Sequence, residues 1–282
     1  MAVFTNVATL TYNGNTTNSN VVTGEILEVL SANKTALNDT YGANDNITYV
    51  INIINSGSSA VENLTVTDNL GVYSVDEQSF VPLALVDGSV RYFVNGILQA
   101  TPTVLAGPPL TVSGINIPAN SNAYIAYEAV TTPFAPLGEG ATITNQAVIN
   151  GVGLTDVTVS ETVTSRNEAL LTVTKALAPT VVLENGEITY TFTIQNFGSA
   201  PAVATDDVVL SDTFNPALTI TSVTFNGQAF AEGTDYTYNP ATGEFTTLAG
   251  RITVPAATFV RNDDGTYSVT PGVSTLTVVG TV

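Results

Sequence analysis

The strongest constraint on the fold of this chain is an internal pattern of strands and turns that occurs twice. ITYVINIINSG at residues 47–57 recurs as ITYTFTIQNFG at 188–198. Tyr49 corresponds to Tyr190, Asn55 to Asn196 and Gly57 to Gly198. In each copy apolar and polar residues alternate with the period of a half-buried strand, and the run ends in an Asn-x-Gly turn. LTVTD at 64–68 matches VVLSD at 208–212, so Asp68 corresponds to Asp212. YFVNG at 92–96 matches VTFNG at 223–227, and each is an Asn-Gly hairpin signal. The segments that begin at Ile117 and Thr270 read as equivalent later strands. No long segment carries the three-to-four residue spacing of an amphipathic helix. The expected architecture is all-β: two tandem antiparallel sandwiches.

The two copies are out of phase with the ends of the sequence. Copy one continues through ATITNQAVING at 141–151 into a further strand, whereas copy two reaches Val282 without such a segment. The chain opens instead with VFTNVATLTYNG at 3–14, where Thr5-Asn6-Val7-Ala8 matches Thr144-Asn145-Gln146-Ala147. Each of these segments runs through a glycine turn and another strand into the first strand of a copy. The division expected is therefore 1–28 as donor strands, 29–165 as a complete sandwich and 166–282 as a sandwich lacking its last strands. An unfinished sheet leaves backbone groups unpaired beside an apolar groove, and a strand from another chain can fill it. Such a head-to-tail contact does not close on itself and builds a filament.

Only two lysines occur, and both fall at the same place in the repeat: Lys34 in SANKTAL and Lys175 in TVTKAL. The chain has no histidine and no cysteine, which excludes disulfides and excludes Ser-His or Cys-His catalysis by its own residues. A net charge of -18 disfavours nucleic acid and anionic membrane as partners. No segment reads as a membrane-spanning helix, and the opening MAVFTN lacks the pattern of a signal peptide.

A first-strand lysine followed by ITYxxxIxNxG, VxDxL and ITNxA resembles the DUF11 family, the immunoglobulin-like repeats of bacterial and archaeal surface proteins. The resemblance spans most of both copies; copy two departs from it at Ser211-Asp212-Thr213-Phe214 and has no ITNxA of its own. The chain is also similar to Gram-positive pilin and adhesin sandwiches that form spontaneous Lys-Asn isopeptide bonds beside an acid. That similarity implies a bond between Lys34 and Asn145 within the subunit, with Asp68 as acid and base. In the second domain it implies Lys175 joined to Asn6 of a neighbouring subunit, with Asp212 assisting. The chemistry needs a neutral amine, which burial favours, and an acid that can donate to the amide carbonyl and later protonate departing ammonia. Packing supplies the proximity.

Weaker signals remain. Asp206, Asp207, Asp263 and Asp264 could offer hard oxygen ligands to a structural calcium ion, though without EF-hand spacing; no other cofactor is expected. Asn15, Asn33 and Asn63 begin glycosylation-type triplets. The functional expectation is a self-assembling structural subunit of an extracellular, cell-surface or spore-surface appendage, bacterial in origin. Its expected partners are copies of itself and an unidentified anchor or tip protein. It is not expected to be an enzyme beyond single-turnover self-linking. The alternatives are a two-repeat stalk fragment of a larger adhesin and, third, a carbohydrate-binding sandwich. The third lacks tryptophan and a concentrated aromatic platform.

Overall fold

The computed structural model describes residues 2–26 and 28–282, so Met1 and Leu27 of the expected donor segment lie outside the described residues. The chain is all-β and its sheets are antiparallel apart from one short parallel pairing. Packing divides it into two units: 1–39 with 44–132 and 144–163, and 164–282 with 40–43 and 133–143.

In the first unit the strand Asn46–Asn55 is central to one sheet, between Leu30–Ala36 and Ser121–Thr131. Its alternation delivers Ile47, Tyr49, Ile51 and Ile53 to the interior, as the period-two reading requires. The facing sheet places Val61–Asp68 between Leu110–Ile117 and Thr142–Asn150, with Val157–Ser165 beyond. Leu64, Val66, Ala147 and Ile149 fill the interior from that side.

The second unit repeats the first sheet closely. Leu171–Ala178, Glu187–Asn196 and Gly272–Thr281 stand in the same order, followed by Thr219–Phe225. The facing sheet is much reduced. Where Val61–Asp68 is flanked on both sides, Ser211–Thr213 pairs only with Glu244–Thr247. Only three residues there are strand, and Val208, Val209 and Leu210 are irregular. Ser211–Thr213 is thus an edge strand, with the backbone groups of one side outside any ladder.

Residues 2–26 form a hairpin of their own. Ala2–Asn6 pairs with Val22–Ile26 and Thr9–Tyr12 with Asn15–Asn18, and none of these strands enters a larger sheet. Phe4 is 55% and Leu10 65% exposed.

The Asn-Gly turns are the left-handed hairpins the sequence signalled: Asn95 and Gly96 have φ of 49° and 78°, Asn226 and Gly227 of 50° and 78°. The Asn-x-Gly motif does more than turn the chain. Asn55 is fully buried; its Nδ2 donates to the carbonyls of Ser59, Ile117 and Pro118, while its Oδ1 accepts from Gly57 N–H. Asn196 does likewise, donating to Ala200 and Pro255 and accepting from Gly198 and Leu170. A Cβ on Gly198 would lie 2.0 Å from the Glu168 carbonyl oxygen, so residue 198 must be glycine. Removing either amide strands several buried carbonyls. Asn55→Ala and Asn196→Ala should each lower unfolding free energy by about 2–3 kcal/mol, read as a shift of the urea midpoint.

Candidate functional site

Lys34 lies on Leu30–Ala36, whose register sets it beside Ile51. Asp68 ends Val61–Asp68 in the facing sheet, and Asn145 lies on the adjoining Thr142–Asn150 strand. All three are buried: the side chains of Lys34 and Asp68 are 0% and 1% exposed, and Asn145 is 0%. Lys34 Nζ donates to Asp68 Oδ2 at 2.5 Å, and Asp68 Oδ1 accepts from Leu70 N–H at 2.9 Å. The ammonium also stands 4.8 Å from the centre of the Tyr49 ring. Lys34, Asp68 and Asn145, singled out from sequence, therefore share one enclosed site.

The fourth member was not found from sequence. Tyr127, on Ser121–Thr131, donates its hydroxyl to Asp68 Oδ2 at 2.5 Å and accepts from Asn145 Nδ2 at 3.0 Å. Its ring stacks on Tyr49 with centroids 5.6 Å apart. It belongs to an alternating AYIAYEAV run, where a tyrosine at an inward position looks like any core aromatic. A repeat comparison gives no help, because the corresponding inward residue of copy two is Val278, which faces Tyr190 as Tyr127 faces Tyr49.

Burial, partly opposed by the Asp68 charge and more distantly by Glu161, pulls the Lys34 amine from 10.5 down to about 8. Burial first, then the Asp68 charge, pushes the Tyr127 hydroxyl well above its ordinary value, which keeps it protonated. The site thus holds an amine that readily becomes neutral, a carboxylate in contact with it and a carboxamide reached through a neutral hydroxyl. The carboxamide Oδ1 accepts no hydrogen bond.

In the second unit Lys175 contacts Asp212 in the same way and lies over the Tyr190 ring at 4.4 Å. That pair is open to solvent, with side chains 39% and 20% exposed. The inward face of the lysine strand is uncovered beside it: Val173 is 57% and Leu177 37% exposed. Leu171, Val173, Ile194, Val208 and Leu210 border a groove of about 320 Å³. Asn6 ends the strand Ala2–Asn6 of the N-terminal hairpin, in the first unit, whereas Lys175 belongs to the second.

The candidate calcium ligands serve turns. Asp206 accepts from Val203 N–H, Asp207 has a left-handed φ of 51°, and Asp264 accepts from the backbone and hydroxyl of Thr266. Those Thr266 hydrogen bonds hold the Asp264 carboxyl below its ordinary value. Among the described residues no three acidic, histidine or cysteine side chains gather into a metal site. No described helix is long and apolar enough to cross a membrane.

Among solved structures the chain is similar to the major pilin subunit of Bacillus cereus (11% identity, TM-score 0.38), covering 85% of this chain and 63% of the pilin. It is also similar to a C-terminal fragment of the major pilin GBS80 of Streptococcus agalactiae (12%, TM-score 0.36), covering 86% and 91%. A third is AvmM, which catalyses macrocyclization in alchivemycin A biosynthesis (9%, TM-score 0.30), covering 57% and 96%. No family model and no curated protein matches the chain. Likeness at these scores shows nothing about function.

The lowered lysine pKa has a sign that can be tested. Between pH 8 and 10.5 the unfolded chain holds a proton on Lys34 that the folded chain lacks, so stability rises with pH across that window. An Asn145→Ala chain, whose lysine has no carboxamide to attack, should gain unfolding free energy from pH 8 to 10.5 relative to the same chain carrying Lys34→Met. Parallel denaturant titrations give the comparison.

Proposed function

We propose that this protein is a DUF11-type structural subunit of an extracellular or spore-surface filament, joined head to tail by strand addition and stapled by Lys-Asn isopeptide bonds. Residues 2–26 of one copy occupy, in the second domain of the next, the place that residues 142–165 occupy in the first. The observation that carries this reading is the contrast between the two lysines, one enclosed and one exposed on equivalent strands.

The fit of the donor supports it. Aligning Asn6 with Asn145 sets Phe4, Ala8 and Leu10 where copy one has Ile143, Ala147 and Ile149, which are all buried. Phe4 and Leu10 would enter the groove beside Val173 and Leu210. Each large apolar side chain fully buried there contributes about 1.5–3 kcal/mol. Backbone pairing along the free edge of Ser211–Thr213 would add the ladder that Val61–Asp68 has on both sides. Asn6 then arrives beside Lys175 and Asp212 and would complete the set that Asn145 completes in the first domain.

Each bond is a single turnover: the lysine amine displaces ammonia from the asparagine side chain. The protein's role is thereby structural, a polymer that resists denaturation because its non-covalent joints become amides.

Boiled, denatured assemblies should run as a ladder, and digestion should yield an Asn6–Lys175 peptide lighter than its parts by one ammonia. Asn6→Ala should remove the ladder while leaving filaments visible before boiling. Monomers alone, before and after boiling, would replace this reading with that of a two-repeat stalk.

A further inference from the structure

We propose that Tyr127 is a catalytic residue of the Lys34–Asn145 condensation, carrying a proton from Asp68 to the amide nitrogen that leaves. The proposal rests on the isopeptide reading above and adds to it a group that neither the repeat nor the family resemblance indicates.

The hydrogen bonds define the path. Asp68 makes no hydrogen bond to Asn145; the Tyr127 hydroxyl lies between them, 2.5 Å from Asp68 Oδ2 and 3.0 Å from Asn145 Nδ2. A carboxylate only accepts, so the single hydroxyl proton points to Asp68 and the amide must present its NH₂ to the phenol oxygen. This fixes Nδ2, the atom destined to become ammonia, against the hydroxyl. Oδ1 is left buried without a donor, an arrangement that weakens the hold on the unreacted amide.

The steps balance. Neutral Lys34 Nζ attacks Cγ of Asn145, the new C–N bond forms, and the carbonyl electron pair moves to Oδ1. The surplus amine proton passes to Asp68 Oδ2. Once protonated, Asp68 becomes a donor: the Tyr127 hydroxyl turns to the lone pair that Nδ2 gains in the tetrahedral intermediate, gives it its proton and takes up the one from Asp68. The carbonyl re-forms, the C–Nδ2 bond breaks and ammonia departs. Asp68 ends as the carboxylate it began as, Tyr127 ends neutral, and the second amine hydrogen stays on the new secondary amide. No oxidant or further reactant is needed. A relay must stay protonated until called on, and burial beside Asp68 favours that form of Tyr127.

The second domain has no such group, since Val278 stands where Tyr127 does. The Lys34 bond should therefore form faster than the Lys175 bond, so that each subunit's first domain is closed before the subunit is joined to its neighbour.

The test is a time course on full-length chain made by cell-free synthesis, quenched at intervals and scored for the Lys34–Asn145 peptide by mass. Tyr127→Phe keeps the ring on Tyr49 and removes the hydroxyl. Its bond should form about 100-fold more slowly or worse, with circular dichroism unchanged. A series of fluorotyrosines at 127, which keep the hydroxyl, should restore bond formation at rates that track hydroxyl acidity, a response that mere packing would not produce. Wild-type speed in Tyr127→Phe, with the bond present, overturns the relay alone. Absence of the bond in wild type overturns both the relay and the isopeptide reading. Should the phenylalanine chain fail to fold, the fluorotyrosine series decides, and rates indifferent to acidity overturn the relay.

Discussion

A lysine held out of water is the constraint around which the first domain is organised. An ammonium without solvent requires a counter-charge, and Asp68 provides it from the opposite sheet at 2.5 Å. Bringing that carboxylate inside requires further donors, which are Leu70 N–H and the Tyr127 hydroxyl. Tyr127 in turn offers its oxygen to Asn145. Each polar group in this interior thus depends on the next, and the strand bearing Asn145 closes the set. Buried ionic networks are poor sources of stability by comparison with apolar packing.

The second domain shows the same parts without the closing strand. Its lysine strand keeps its pairing from Thr189 to Asn196, so the sheet itself is sound. What changes is the cover: Val173 and Leu177 face water and the Lys175–Asp212 pair is hydrated. Water screens that ion pair and removes most of its worth. The lysine, the aspartate and the tyrosine beneath the lysine are common to both domains, which differ in enclosure and in the residue, Tyr127 or Val278, that faces that tyrosine.

Much of this was legible in the sequence because strand periodicity and turn chemistry are local. The ITYVINIIN run buries alternate residues along its length, and Asn95-Gly96 and Asn226-Gly227 form the turns they signal. Lys34, Asp68 and Asn145 could be named because the repeat marked them. Other features depend on partners distant in the chain. Asn55 reads as a turn residue, yet it is a buried clamp on the carbonyls of Ile117 and Pro118. Tyr127 reads as core. The irregular backbone at Val208–Leu210, where the matching Leu64–Val66 is strand, is not announced by the residues themselves. The packing of 40–43 and 133–143 with the second unit likewise has no local signature.

The N-terminal hairpin and the uncovered lysine face are different surfaces, and neither can bind its own kind as it would bind the other. A polymer built on them would have a direction. One terminus would always display a free hairpin and the other an empty groove, so growth at the two would be chemically distinct events. Fixing either terminus to a cell or spore would leave the other as the sole growing point. A partner carrying only one of the two surfaces could then set the length, ending the fibre by occupying the last groove or the last hairpin without offering a successor.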